Sequence, residues 1–589
     1  MRKIKRVIGY TLGIAMVLIA AIFLLNLHLT KRLERYLRKE LIHRTAEATD
    51  GFYRLSFDNL SISFFKGELT LEGIKLCPDS AVFRDWERKD SLPSTYVTAE
   101  VGMVDFKGLN LTWRWSYKQL HFDSFEIRNP DIQVFNPYYS TRAEVKERKE
   151  AETKTLYEVV SPYINVLTVR MLNLENASVS YSVENPVSPI VYALNDVSFH
   201  AYGFRLDENS SESGKLLYCD NFDFITKRSQ TLLANNDFRL QTDRILLSTE
   251  DSIISISNIT LTPQGELWGE QKKRPDGYLN ALIRAIEVKG IQFRRENALN
   301  YLTARSLDII SSDIQAFNLA GESLPSAKKT EKKSLNEAEA DSLVRSLSLY
   351  ELISPVLHTV SIGTVGIGQA KLQYSFAVKD KIEMYKLANF DFQANDFRID
   401  SVSEAQRGFW YSRGFSFEAT GIEGLMTARN HRFTVKRMTL DTESGDFNLE
   451  RIRLYPLSVC GQNDYMAGSI DTVGIRGLLY DKGISARLLK IDRPNLRYVL
   501  FSSFNKKDVK SVKPANSRVD VESILNPFLR YFSVKRLSLN HAYVTIDDKS
   551  MSDPVTYKLN DFNFFATGIW VNRQTGKGSG LFLSLIHIS

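Results

Sequence analysis

The chain has 589 residues, of which 43% are hydrophobic and 25% charged, enough apolar sequence for more than one folded domain. Its formal net charge of +7 comes from one end, because residues 1–44 hold ten Lys or Arg against two Glu and the other residues sum to −1. Without a basic stripe elsewhere, we expect no nucleic acid as a partner. The three cysteines lie far apart, which predicts neither a disulfide framework nor a cysteine metal site.

The amino terminus carries nineteen consecutive uncharged residues, Val7 to Leu25, after four basic residues. The run is long enough to cross a bilayer and predicts a transmembrane anchor over 7–29 behind a cytoplasmic tail of residues 1–6. A cleaved signal peptide is the alternative, which the length of the run disfavours. Over residues 30–48, leucines recur every four positions among charges. They predict an amphipathic juxtamembrane helix, with a solvated helix as the competing interpretation.

Three copies of one unit follow along the chain. A proline is followed thirty residues later by a tyrosine in each copy: Pro162 and Tyr192, Pro355 and Tyr385, Pro527 and Tyr557. The copies align without gaps at offsets of 193 (355 − 162) and 172 (527 − 355). An apolar-basic-Gly-apolar step also recurs, at Gly108, Gly290 and Gly477. Such self-similarity indicates a repeat architecture.

Within each unit the apolar residues fall at spacing two, which is typical of half-buried strands. In the last copy Leu537 and Leu539 precede a polar break at Asn540 and His541, after which the apolar residues resume at Ala542. This pattern predicts a hairpin at the break. The whole period is therefore predicted to be a long antiparallel meander.

The repeats and the charged stretches between them predict the domain boundaries. They are a partial first β-repeat over 49–139, a charged linker and short helix over 140–161, a second β-repeat over 162–318, a linker and short helix over 319–354, a third β-repeat over 355–503, a linker and short helix over 504–526, and a truncated fourth β-repeat over 527–589. The third copy of the aligned unit loses register after about Ser584, so we expect a carboxy-terminal part to be missing.

No motif for catalysis stands out in the sequence. The eight histidines are scattered singly, and there is neither an HExxH nor a Gly-x-Ser-x-Gly motif. The acidic stretch from Asp441 to Asp446 aligns with Ser248 to Asp251 of the preceding copy, which predicts a repeated hairpin turn rather than a calcium loop. We expect no enzyme, no cofactor and no metal.

Strict alternation gives each sheet one apolar face, which something must cover. Either successive sheets close on each other as β-sandwiches or barrels, or the apolar face stays open as a groove that a greasy ligand fills. Composition alone leaves both interpretations standing.

Two segments, LNLENASVSY at 172–181 and IRNPDI at 127–132, together with the anchor and the alternating strands, resemble the AsmA-like proteins of Gram-negative envelopes, relatives of TamB in the bridge-like lipid-transfer superfamily. The resemblance implies a mainly β fold in which a transmembrane helix precedes tandem antiparallel β-meander repeats that form an elongated, twisted open groove, with short helices between repeats. It also implies a single-pass inner-membrane protein with its bulk in the periplasm, which shields phospholipid between the inner and outer membranes.

The partners implied are phospholipid acyl chains, the inner membrane and outer-membrane or envelope assembly proteins. The residues predicted to line the groove are the repeated apolar set: Leu174, Val179, Phe199, Ile367, Leu372, Phe392, Leu539, Val544 and Phe564. The rival hypothesis is a membrane-anchored scaffold or outer-membrane protein assembly factor built from closed β-sandwich repeats.

Overall fold

The structure, a computed structural model, describes residues 31–137, 157–263, 277–318, 357–501 and 531–588, with short gaps inside these ranges. The chain divides into two compact units, Met1–Thr260 and Leu261–Ser589. The described residues of both units fold mainly as β-strands in meander order, with few helices. The mainly β prediction and the β-repeat prediction are confirmed.

The first unit contains helix α1, formed by residues 31–32 and 34–47, and helix α2, formed by Ser80–Arg88. Its strands are β1 (Tyr53–Ser56), β2 (Asn59–Ser63), β3 (Glu68–Pro78), β4 (Tyr96–Lys107), β5 (Asn110–Arg114), β6 (Tyr117–Pro137), β7 (Val166–Glu184), β8 (Ile190–Leu206), β9 (Asn221–Leu233), β10 (Phe238–Ser248) and β11 (Ile253–Pro263), which contains the boundary.

The second unit contains the short helix α3, formed by Ser401–Gln406. Its strands are β12 (Gly277–Lys289), β13 (Gln292–Glu296), β14 (Leu299–Asn318), β15 (Thr359–Val378), β16 (Lys381–Ile399), β17 (Gly414–Met426), β18 (His431–Asp441), β19 (Asp446–Pro456), β20 (Tyr465–Arg476), β21 (Leu479–Tyr480), β22 (Ile484–Asp492), β23 (Asn495–Leu500), β24 (Tyr531–Asp548), β25 (Val555–Asn572), β26 (Gly580–Phe582) and β27 (Leu585–Ile588).

The sheets are mixed, so the prediction of a purely antiparallel meander is wrong at three places. Neighbouring strands pair antiparallel within each repeat, but β6 pairs parallel with β7, β14 with β15, and β22 and β23 with β24. Each parallel pair joins the last strand of one repeat to the first strand of the next. Parallel neighbours need a long connection, which the charged stretches between repeats supply.

The predicted hairpin at Asn540 and His541 is also wrong, because β24 runs unbroken from Tyr531 to Asp548 through this point. His541 has a φ of 50°, in the left-handed region, and the register with β25 shifts on both sides of Ala542. The polar break is therefore a β-bulge inside one strand. Asn176 and Gln369 occupy the equivalent positions in β7 and β15. Both have a φ of 54°, in the same left-handed region, and both lie beside the same register shifts.

Other predicted turns are found where the sequence places them. Residues 442–445 form the turn between β18 and β19, where Thr442 Oγ1 accepts a hydrogen bond from the amide of Phe415 at 2.8 Å. Thr249, at the equivalent position, accepts one from the amide of Phe222 at 2.7 Å. The acidic stretch is thus a repeated hairpin turn, as predicted.

Both helices of the first unit contact residues that flank β1. Asp79 caps α2 by accepting hydrogen bonds from the amides of Ala81 and Val82, and Trp86 of this helix stacks on Phe52 with ring centroids 4.9 Å apart. In α1, the Arg38 guanidinium donates to the carbonyl oxygen of Phe57 at 2.9 Å.

Several predictions fall on residues outside the described ranges: the anchor over 7–29, most of the linkers with their short helices, and the repeat prolines Pro162, Pro355 and Pro527. Among the residues that the structure does describe, no helix is both long enough and apolar enough to cross a membrane.

The apolar face of the sheet as candidate functional site

The three predicted groove residues of the first copy lie on one face of the sheet. Leu174 pairs with Phe199, and Ala177 pairs with Val197. Paired residues project to the same side, as do residues two apart in a strand, so Phe199 and Val197 share a face, and so do Ala177 and Val179. Without the bulge, Leu174 and Val179, five residues apart, would project to opposite sides.

The other two copies repeat this arrangement residue for residue. Ile367 pairs with Phe392 and Ala370 with Phe390, next to Leu372. In the last copy the corresponding residues are Leu539 with Phe564, Ala542 with Phe562, and Val544. Each set of three predicted residues therefore lies on one side of its sheet, which we call the apolar face.

In the first unit the apolar face includes two long rows of cross-strand partners. The first row is Leu60, Leu71, Val104, Ile127, Leu174, Phe199, Phe224 and Leu247. The second row is Leu55, Leu76, Ala99, Ile132, Val179 and Leu194. Every strand that a row crosses contributes an apolar residue, so no polar side chain interrupts either row.

In the second unit the apolar face includes three such rows. The first is Ile286, Ile309, Ile367, Phe392, Phe417, Leu440, Phe447, Ile475, Leu489, Leu537 and Ala566. The second is Ala370, Phe390, Ala419, Met438, Leu449, Val473, Ile491, Leu539 and Phe564. The third is Ile314, Leu372, Leu387, Ile422, Val435, Ile452 and Ile470.

The apolar face has a buried midline and half-buried flanks. Ala177, Ala370 and Ala542, the residues that follow the bulges, are 0% exposed. The nine predicted residues around them are all half-buried. Aromatic rings extend the flanks, with Phe392 and Phe415 centroids 5.7 Å apart and those of Phe390 and Phe417 5.9 Å apart. The midline is therefore small and buried, and the larger, half-buried side chains beside it form the accessible part of the apolar face.

Within the described residues of each unit, the strands belong to one sheet and no second sheet packs over the apolar face. Large side chains remain open to solvent near one end of the strands: Leu559 is 57% exposed and its neighbour Tyr557 is 58% exposed. A sheet face with this much apolar surface is typical of an interaction or ligand-binding surface.

The opposite face of the second unit is polar. Arg437 forms an ion pair with Glu418 at 2.8 Å, between neighbouring strands β18 and β17. A half-open cavity of about 780 Å³ crosses strands β14 to β18 and includes Gly366, Gly368, Asp391 and Asp441 in its lining. Ile367 and Phe392 border it as well, but the mixture of carboxylates and glycines makes it a poor site for an acyl chain.

Two ionisable groups with shifted pKa values, Asp207 and Cys219, have structural surroundings that explain the shifts. The carboxylate of Asp207 accepts a hydrogen bond from Arg205 at 2.6 Å, and this contact, with hydrogen bonds from Ser210 and the amide of Asn209, holds the pKa of Asp207 below 3.8. Burial raises the pKa of the Cys219 thiol to about 11, which keeps it unreactive at neutral pH. In the part of the chain that the structure describes, no group of three or more potential metal ligands comes together.

Sequence reasoning missed part of the apolar face. The midline alanines Ala177 and Ala370 and the aromatic residue Phe390 lie among the predicted residues without having been chosen. The available signal was the five-residue spacing between predicted residues, which strict alternation cannot accommodate on one face. That spacing requires an inserted residue between them, and the polar residue before each alanine is where the insertion occurs.

Comparison with known proteins identifies no family for the chain. No protein-family model matches the chain, and no curated protein matches it. The functional proposal therefore depends on the geometry of the apolar face and on the resemblance described above.

Proposed function

We propose that the chain conducts phospholipid by shielding acyl chains on the apolar face of its sheet. The observation that carries this proposal is the uninterrupted apolar row from Ile286 to Ala566, without a covering second sheet among the described residues. A surface of this kind gains free energy only when apolar material covers it, and hydrocarbon is the simplest such material.

The energetics suit movement as well as binding. Burying one methylene group gains about 0.8 kcal/mol, and the many methylene groups of an acyl chain add these gains together. The apolar face can therefore hold an acyl chain out of water. Contacts between hydrocarbon and Leu, Ile or Phe side chains are non-directional, and each row offers the same chemistry at every strand. A chain that slides along a row therefore exchanges equivalent contacts and meets no polar obstacle.

The cellular setting that we propose follows the resemblance to the AsmA-like and TamB-related proteins. In this proposal the chain is held in the inner membrane of a Gram-negative bacterium by its amino-terminal run, and its repeats form an elongated open groove across the periplasm toward the outer membrane. Outer-membrane or envelope assembly proteins are the proposed partners at the far end.

The rival hypothesis, a scaffold or assembly factor with closed β-sandwich repeats, makes a different structural demand. A sandwich needs a second sheet about 10 Å above the apolar face. The described residues of each unit form one sheet, which supports the open interpretation.

A photocrosslinking experiment tests the proposal on adjacent residues that project to opposite faces. A photoreactive amino acid would replace either Phe417 of the apolar face or Ser416 beside it in the full chain, expressed in a Gram-negative host. The same comparison would be made at Phe392 and Gln393. Mass spectrometry after irradiation should find phospholipid adducts at Phe417 and Phe392 and not at their neighbours. Adducts at neither position, or equally at both members of a pair, would rule out lipid on the apolar face.

A further inference from the structure

Helix α1 has two sides of different chemistry, and the structure shows which of them is used by the fold. Arg38 donates to the carbonyl oxygens of Phe57 and Asp58 at 2.9 and 3.0 Å, and its guanidinium lies 4.5 Å from the centroid of the Phe57 ring. Glu34, one turn earlier, accepts a hydrogen bond from the amide of Ile62 at 3.2 Å. These contacts fix the rotation of the helix against β2 and the turn before it.

One flank of the helix, next to the side that contacts the sheet, is basic. Lys31, Arg35 and Lys39 follow one another at four-residue spacing, which aligns them along the helix, and Arg32 lies beside them. All four are exposed. Glu34 faces the sheet, and the position of Glu40, in an ion pair with Arg44 at 2.8 Å, is about 100° around the helix from Lys39. The four cations therefore form a stripe without an acidic residue in it, which we call the basic face of α1.

Apolar side chains accompany the basic face. Tyr36 is 61% exposed and Ile42 is 38% exposed. At 100° per residue, Ile42 lies between Lys31 and Arg35 around the helix, and Tyr36 lies next to Arg32. Cations interspersed with an exposed aromatic ring and an aliphatic side chain match the chemistry of a phospholipid headgroup layer, where phosphates lie next to the first methylene groups.

We propose that the basic face of α1 binds the headgroup layer of an anionic phospholipid bilayer. Each Lys or Arg near such a surface improves binding about fivefold, and the attraction weakens with salt. Because Arg38 and Glu34 hold the helix against β2, this binding also sets the angle at which the first strands of the sheet meet the membrane. The inference rests on the proposed function only for the identity of the membrane, the inner membrane. Binding of α1 to an anionic bilayer does not require that the apolar face carries lipid.

Lysine acetylation in nanodiscs tests this inference on the full chain. The protein would be reconstituted in phosphatidylcholine alone or in a mixture with phosphatidylglycerol, and the acetylation rate of each lysine would be measured by mass spectrometry. We expect Lys31 and Lys39 to react several-fold more slowly in the anionic discs. The exposed lysines Lys386 and Lys436, distant in sequence and in the other unit, should react equally in both and act as internal controls.

A double variant separates electrostatic docking from mere proximity to the bilayer. Replacing Arg32 and Arg35 with Gln leaves both reporter lysines in place and should weaken their protection in anionic discs, as should added salt. The matched variant with Arg284→Gln and Arg453→Gln, two exposed arginines of the second unit, removes the same charge and should leave the protection unchanged. Equal rates in the two lipids, or protection that survives Arg32→Gln with Arg35→Gln, would overturn the inference. Lipid adducts at Phe417 are read separately, so failure of one proposal does not imply failure of the other.

Discussion

Asp207 and Asp400 occupy equivalent positions in two copies of the repeat and make the same contacts. In each case the backbone amide of the Asp donates to the hydroxyl of a Ser three residues later, Ser210 at 2.7 Å and Ser403 at 2.8 Å. Each carboxylate also accepts from the Arg two residues earlier. This reciprocal arrangement resembles a capping box and ends strands β8 and β16 in the same way.

The charge on Asp400 should make the stability of the second unit depend on acid pH. Burial raises the pKa of this carboxyl, but hydrogen bonds from Ser403 and Arg398 outweigh it and leave the pKa below 3.8. A lowered pKa means that the carboxylate stabilises the fold above pH 3.8 and that this contribution is lost as pH falls through the folded-state pKa.

We expect Asp400→Asn to lower the free energy of unfolding by about 1 kcal/mol at neutral pH, and the difference from the unchanged protein to shrink as the pH falls below 4. Urea unfolding at a series of pH values measures this. Asp207→Asn is the matched variant in the first unit and should behave alike. A deficit that stays constant down to the lowest pH at which the protein folds would show that the charge is not responsible.

Ala370 tests the buried midline of the apolar face. Its side chain is 0% exposed, so Ala370→Leu adds three carbon atoms where there is no space and should destabilise the fold by about 1–3 kcal/mol. Lys371→Leu, at the exposed adjacent residue on the polar face, is the control and should cost much less. Thermal unfolding followed by circular dichroism measures both, and equal losses would contradict a packed midline.

At the scale of strands, the bulges decide which residues meet. Gln369 has a φ of 54°, in a region that glycine occupies freely and β-branched residues avoid. We therefore expect Gln369→Gly to be neutral or slightly stabilising and Gln369→Val to destabilise the second unit by roughly 1–2 kcal/mol. Denaturant midpoints of the two variants measure this, and a Val variant as stable as the Gly variant would argue against a left-handed residue at this position.

The strands and their repetition could be predicted from the sequence because alternation and ungapped copies are direct signals of them. The bulges could not, since Gln369 carries no strong preference for a positive φ, and a polar break between apolar runs is more often a turn. Parallel pairing, such as that of Ile309 with Ile367, also escaped prediction. It depends on contacts between residues far apart in the chain, which local periodicity does not report. The bulges in turn decide which residues project to the apolar face, so its composition could not be predicted in full either.

At the scale of the whole molecule, the conduit hypothesis predicts that one charge can block the apolar face without unfolding it. Leu372 is half-buried in the third row of the second unit, between Ile314 and Leu387. Leu372→Arg places a cation in the path of an acyl chain and should reduce the phospholipid that copurifies with the full chain, as measured by native mass spectrometry. Gln373→Arg, on the polar face one residue away, adds the same side chain and should leave bound lipid unchanged. If both variants kept their lipid, passage along this row would be excluded.

The parallel pairings set a minimum length for the connections between repeats. Pro137 ends β6 beside Glu184 of β7, whereas Val166 begins β7 beside Gln119, eighteen residues back along β6 (137 − 119). At about 3.3 Å per residue, the chain must travel back roughly 60 Å before the next repeat can start. Residues 138–165 must therefore be long enough to span this distance. Deletions that leave fewer than about eighteen residues there would pull the two strands out of register, whatever the remaining sequence.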